Sequence, residues 1–124
     1  MKIITTDKAP QAIGPYSQAI AIENFIFCSG QIGIDPTTGI LRQNIEDQTH
    51  QVLQNINAVL SEAEANKNSV VKTTIFLKSM EDFSTVNNIY EEFFGNHKPA
   101  RSTVAVSELP KGALIEIEVI ALLS

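Results

Sequence analysis

The chain has one cysteine, Cys28, among its 124 residues, so it can form no internal disulfide and its composition agrees with a reducing compartment. No apolar run approaches the ~18 residues of a membrane helix. The opening segment, Met1 to Lys8, has no signal-peptide h-region, and the C-terminus carries no lipidation motif. A cytoplasmic location with no membrane partner is the expectation. Positive charge is also sparse. Nine Lys and Arg are scattered without a basic run against 14 Asp and Glu, giving a formal charge of −5. Phosphate binding draws on clustered cations, so this distribution argues against nucleic acid as the main ligand. Repeats, low-complexity stretches and linkers are missing, as are P-loop, nucleophile-elbow and zinc motifs. Gly30-Gln31-Ile32-Gly33 is not a dinucleotide fingerprint, because the glycine pattern is incomplete and no long helix follows directly.

What is present describes an ordinary globular protein. A content of 44% hydrophobic and 19% charged residues is too apolar for disorder, and the length fits one domain, residues 1–124. Ala19–Ile22 and Phe25–Ser29 flank the polar pair Glu23-Asn24 and predict a hairpin. Gly30, Gly33 and the run Asp35-Pro36-Thr37-Thr38-Gly39 then break the pattern into a loop. Asn44, with Asp47 three residues on, predicts a capped helix start, and Val52, Leu53, Ile56, Val59, Leu60 and Ala63 form its apolar stripe. Ser69–Lys78 is β-branched and reads as a strand. Ser79 with Asp82 predicts a second helix start, and Gly95 its end. Its inward face holds Phe83, Val86, Tyr90, Phe93 and Phe94. Asn87 shares that stripe, either as a boundary residue or as a buried amide bonded to backbone. Arg101–Val106 and Leu114–Leu122 complete the chain as strands. The order predicts an α+β fold, a mixed sheet with two helices packed on one face.

The last strand is the most informative. Alternation puts Ile115, Ile117, Val119 and Ala121 on a uniformly apolar face, and Leu114, Glu116, Glu118, Ile120 and Leu122 on the other. Carboxylates between large aliphatic residues fit either a solvated face or a surface buried against another subunit, with polar groups at a pocket. If Arg101–Val106 pairs with this strand as a hairpin, Arg101 comes near Glu116 or Glu118. Such a pair serves either as a routine ion pair or as a site in which the planar guanidinium grips a substrate carboxylate. Spacing does not separate the two. His50 and His97 lack metal-ligand spacing and read as surface histidines, so no metal site is expected. Cys28, in an apolar strand, reads as a small buried hydrophobe.

Several spaced motifs nevertheless resemble one family. Pro99-Ala100-Arg101-Ser102-Thr103-Val104, Leu109-Pro110-Lys111-Gly112-Ala113 and Ile115-Glu116-Ile117-Glu118 resemble the C-terminal signature of the Rid (YjgF) family. Ala12 to Ala19, Ser29 to Ile32, Asp35-Pro36 with Thr38-Gly39, and Val86-Asn87 before Tyr90 fit as well, so the resemblance spans nearly the whole chain. It implies a chorismate-mutase-like fold assembled as a homotrimer, with clefts between subunits. It implies hydrolysis of 2-imino acids such as 2-iminobutanoate and 2-iminopropanoate to 2-keto acids and ammonia, which protects pyridoxal-phosphate enzymes, and it implies no cofactor. By the same resemblance Arg101 holds the substrate carboxylate, Glu116 activates water, and Tyr16, Ser29, Gly30, Asn87 and Thr103 line the cleft. Thr103 stands where some relatives have cysteine, and the loop from Phe94 to Pro99 is shorter than in some members. A ligand-binding regulatory trimer and a ribonuclease are the competing readings, the latter disfavoured by the acidic chain.

Overall fold

A computed structural model describes residues 1–123; Ser124, the last residue of the expected domain, lies outside the described residues. Six strands and two helices follow one another as β1 (Lys2–Ile4), β2 (Ala19–Ile22), β3 (Phe25–Ile32), α1 (Ile45–Glu62), β4 (Val70–Leu77), α2 (Phe83–Phe94), β5 (Ala100–Ala105) and β6 (Ile115–Leu122). The strands form one sheet in the order β1-β2-β3-β6-β4-β5, in which β4 and β5 are parallel and the other pairs antiparallel. The expected mixed sheet with two helices on one face is what the chain forms.

Local chemistry sets most boundaries. Asn44 caps α1, its side chain accepting from the Asp47 N–H at 2.8 Å. The stripe of Val52, Leu53, Ile56, Val59, Leu60 and Ala63 is buried against Ile115, Ile117, Val119 and Ala121 in one core. The second helix starts more tightly than expected. Ser79 caps a 3₁₀ turn over Met80–Asp82 by accepting from Glu81 N–H, and regular α2 begins only at Phe83. Gly95 ends it with φ at +63°.

Three expectations need correction. β1 was not anticipated, because three residues carry too little alternation. β3 runs on through Gly30 to Ile32 instead of breaking into a loop, with an irregularity in its register against β6 between Cys28 and Gln31. Most consequentially, β5 and β6 do not pair. β4 lies between them, so Thr74 faces Ser102 on one side and Glu118 on the other. The connection from β5 to β6 crosses the end of β4: Val106 N–H donates to Leu77 O at 2.8 Å, and Lys78 N–H donates to Leu114 O at 3.0 Å. The two strands run antiparallel, yet on opposite flanks of a third.

The sheet face away from the helices is uncovered in this chain. Phe25 and Phe27 lie beside their register partners Leu122 and Ile120, and Phe25, Phe27, Val104 and Leu122 are all exposed. An exposed apolar surface of this kind is characteristic of a contact with another chain.

Candidate active site

The half-buried Glu116 sits on this open face, beside β3. The backbone of Gly30 lies directly beneath it: a Cβ added there would overlap Glu116 Oε2 and lie 2.8 Å from Cδ. Only a residue without a side chain lets the carboxylate rest in this position. Burial, and secondarily the charge of Glu118, push the Glu116 carboxyl above its ordinary value. Among the described residues its carboxylate receives no hydrogen bond and no cation within 4.0 Å, the sole ion pair being Arg42 with Asp35 at 3.1 Å.

Around Glu116 opens a cleft of about 780 Å³. Ser29, Gly30 and Gln31 contribute from β3, Tyr16 and Ile13 from the N-terminal segment, Ile34, Pro36 and Gly39 from the loop after β3, and Pro110 and Lys111 from the turn before β6. The N-terminal wall is held by two residues. Ser29 Oγ donates to Ser17 O at 2.6 Å. Gln18, almost fully buried, accepts from Thr6 N–H at 2.7 Å and donates to Thr6 O and Pro10 O at 3.0 and 2.8 Å. Gln18 was not singled out from sequence. Its signal is weak, since a polar residue just ahead of a strand reads as exposed.

Arg101 is elsewhere. Its register partner is the buried Thr73, so its side chain lies on the helix-facing side of β5. There the guanidinium carbon sits 4.8 Å from the Tyr90 ring centre and 5.7 Å from that of Phe83. Tyr90 is fixed by a 2.8 Å hydrogen bond with Thr73 Oγ1, and burial raises its hydroxyl pKa. Among the described residues Arg101 has no carboxylate within 4.0 Å and no side-chain hydrogen bond. It lines a second cleft of about 370 Å³, with Asn87, Tyr90, Glu91, Phe94 and His97. Two residues along β5 on the same side, Thr103 Oγ1 is buried without a partner among the described residues.

The seven expected site residues therefore divide. Tyr16, Ser29, Gly30 and Glu116 share one cleft, Arg101 and Asn87 share the other, and Thr103 lines neither although it adjoins Arg101. The two clefts have no residue in common. The expected approach of Arg101 to Glu116 or Glu118 does not occur within one chain, because β4 separates their strands. Asn87 is half-buried at the cleft, as a boundary residue. His97 is not a plain surface histidine: it is half-buried, with Nε2 at 2.6 Å from Val70 O. His50 is exposed. Cys28 is buried as expected, and desolvation pushes its thiol up to about 12. Among the described residues no group of three or more His, Cys, Asp or Glu is placed to hold a metal ion, and no helix is long and apolar enough to cross a membrane.

A family model described as Endoribonuclease L-PSP matches residues 6–123. The chain is 55% identical over 121 residues to a RutC family protein of Pyrococcus abyssi, covering 97% of this chain and 95% of that one. It is 46% identical over 121 residues to the 2-iminobutanoate/2-iminopropanoate deaminase of Mus musculus, covering 97% and 90% of the two chains. Its fold is similar to the crystal structure of E. coli TdcF with bound serine, with a TM-score of 0.97, 40% identity and 100% of both chains covered.

Proposed function

The chain belongs to the Rid (YjgF) family, and on that footing we propose that it hydrolyses small 2-imino acids to 2-keto acids and ammonia in clefts formed between its own copies. The observation that carries this reading is the division of the site. Among the described residues an arginine without an ion-pair partner lies in one cleft and a carboxylate without one in another, and the two clefts share no residue. Neither group alone has a reaction to perform. A homotrimer that covers the open sheet face would set the Arg101 edge of one subunit against the Glu116 cleft of the next, and would bury Phe25, Phe27 and Leu122.

In that shared cleft Arg101 grips the substrate carboxylate with its planar fork, and the Tyr90 and Phe83 rings hold the guanidinium in place. Thr103 Oγ1 and Asn87 are further polar groups beside it. Glu116 takes a proton from a water as its oxygen adds to the C=N carbon, which gives a carbinolamine. The same carboxyl returns that proton to nitrogen and then takes the proton of the new hydroxyl as the C=O forms and the C–N bond breaks, so that ammonia leaves a 2-keto acid. A carboxyl with a raised pKa is a stronger base and a readier donor near neutrality, which suits both steps. Holding water and imine carbon in line can supply much of the acceleration.

The similarity to proteins named deaminases supports this chemistry. The description of the family model as an endoribonuclease finds less support, since the Glu116 cleft is lined by no histidine and by one lysine, Lys111. The test is a coupled assay, in which a threonine dehydratase releases 2-aminocrotonate and its imine, and 2-ketobutyrate is followed with and without this protein. Faster keto-acid release that is lost in Arg101→Ala is the expected result. Full activity in Arg101→Ala would exclude the role of Arg101.

A further inference from the structure

We propose that Gln48, at the buried start of α1, is a positioning residue for Glu116: its amide ties Leu114, which leads into the carboxylate's strand, to Arg42, which follows the loop after β3. Gln48 is 2% exposed, so each of its polar atoms needs a partner. Gln48 Oε1 accepts from the N–H of Leu114 at 2.8 Å, and Nε2 donates to Arg42 O at 2.8 Å. Leu114 lies immediately before β6 and two residues before Glu116. Its carbonyl is held as well, by Lys78 N–H at 3.0 Å. Leu114 is thus fixed through its N–H to α1 and through its carbonyl to the residue that follows β4.

Glu116 itself pairs with Ile32 of β3 and Phe76 of β4, and the ladder between β3 and β6 is interrupted just beyond it. β3 and β6 pair regularly from Phe25 to Cys28, lose register, and resume at Gln31. Gly30, the backbone that receives Glu116 Oε2, lies inside that interruption. The surface on which the carboxylate rests is thus the irregular stretch of β3. Gln48 holds the beginning of β6 to the residues just past β3. Gly33, just past β3, packs so tightly on α1 that an added Cβ would lie 2.7 Å from Gln48 Cα, and Gly33 O accepts from Arg42 N–H at 2.9 Å. Gly33, Arg42, Gln48 and Leu114 therefore form a closed set of contacts joining the end of β3 to the beginning of β6. The neighbouring buried amides Gln51 and Asn55 also hold the loop after β3: Gln51 Oε1 accepts from Arg42 Nε at 3.1 Å, and Asn55 Nδ2 donates to Ile34 O at 3.0 Å. Neither has a hydrogen bond to β6.

The role rests on the deaminase reading, and the experiment keeps the two separable. The titratable groups lining the cleft with Glu116 are Glu118, Lys111 and Tyr16, and none belongs to α1. Gln48→Met keeps length and volume but loses both hydrogen bonds, whereas Gln48→Glu keeps an acceptor for Leu114. In the coupled assay Gln48→Met is expected to lower kcat by roughly tenfold or more with KM changed less than about twofold, as for a displaced catalytic group. The acidic limb of its kcat profile should move down in pH as water reaches Glu116. Gln48→Glu should recover most of kcat, and Gln51→Met should leave the limb where it is. Wild-type kcat and an unmoved limb in Gln48→Met would overturn the role, as would an equal loss in Gln51→Met. If both Gln48 variants fail to fold while Gln51→Met folds, Gln48 serves stability alone and the proposal falls. Absence of any acceleration by the wild type would instead sink the deaminase reading, and the positioning role with it.

Discussion

The carboxylate of Glu116 rests on the bare backbone of Gly30, so closely that any side chain there would occupy the space of Oε2. A glycine and a glutamate 86 positions apart in the chain thus form one structural unit. Gly30→Ala should displace the flexible carboxylate without disturbing backbone. The expected outcome is a stability within about 1 kcal/mol of wild type. Activity should fall about tenfold or more. Thermal melts run beside the coupled assay would check both halves.

Gly33 offers the contrast. Its added Cβ would meet the Gln48 backbone, at 2.7 Å from Cα and 2.9 Å from the carbonyl oxygen. Backbone cannot swing aside as a side-chain tip can. Gly33→Ala is therefore expected to cost about 1–3 kcal/mol of stability, read as a lower urea midpoint.

Glu116 also makes stability depend on pH. Burial first, and Glu118 second, raise its pKa in the folded chain. The folded state then binds this proton more tightly than the unfolded chain does. The associated stability is fully present below the unfolded pKa and is lost as pH rises through the folded one. Glu116→Gln never ionises. It should match wild type at about pH 4 and be the more stable protein at about pH 8, in paired urea titrations. In the proposed reaction its kcat should fall about a hundredfold or more, because no base would remain to take the proton from water.

Arg101 is held over Tyr90 and Phe83 by the flatness of its guanidinium as much as by its charge. Arg101→Lys keeps the charge and loses the fork. A rise in KM for the imine of about tenfold is expected, with a smaller change in kcat. An unchanged KM would show that charge alone binds the substrate.

Much of this architecture was legible in the sequence. The stripe on α1, its Asn44 cap, the hairpin turn at Glu23-Asn24 and the apolar side of the last strand are local patterns, and local patterns survive in the fold. Glu23 takes φ of +52° in that turn, as the tight reversal requires. What escaped was long-range. Nothing between Arg101 and Leu114 announces that the chain crosses the end of β4, so a hairpin was the natural expectation. The buried amides escaped for another reason: Gln48, Gln51 and Asn55 look like surface residues. Their spacing of three and four was the available signal, because it places them on the helical face that continues into Val52, Ile56 and Val59. The site residues came from motif resemblance, and their separation into two clefts could not be read from spacing.

That separation has a genetic consequence. In the proposed trimer, each cleft takes its arginine from one copy and its carboxylate from the next. A chain defective at Arg101 and a chain defective at Glu116 are each inert alone, yet they are not defective in the same half of a cleft. Unfolded together and refolded as mixed trimers, they should rebuild a fraction of intact clefts and regain part of the wild-type rate, while two different Arg101 variants regain none. Two recessive lesions in one gene would then complement each other.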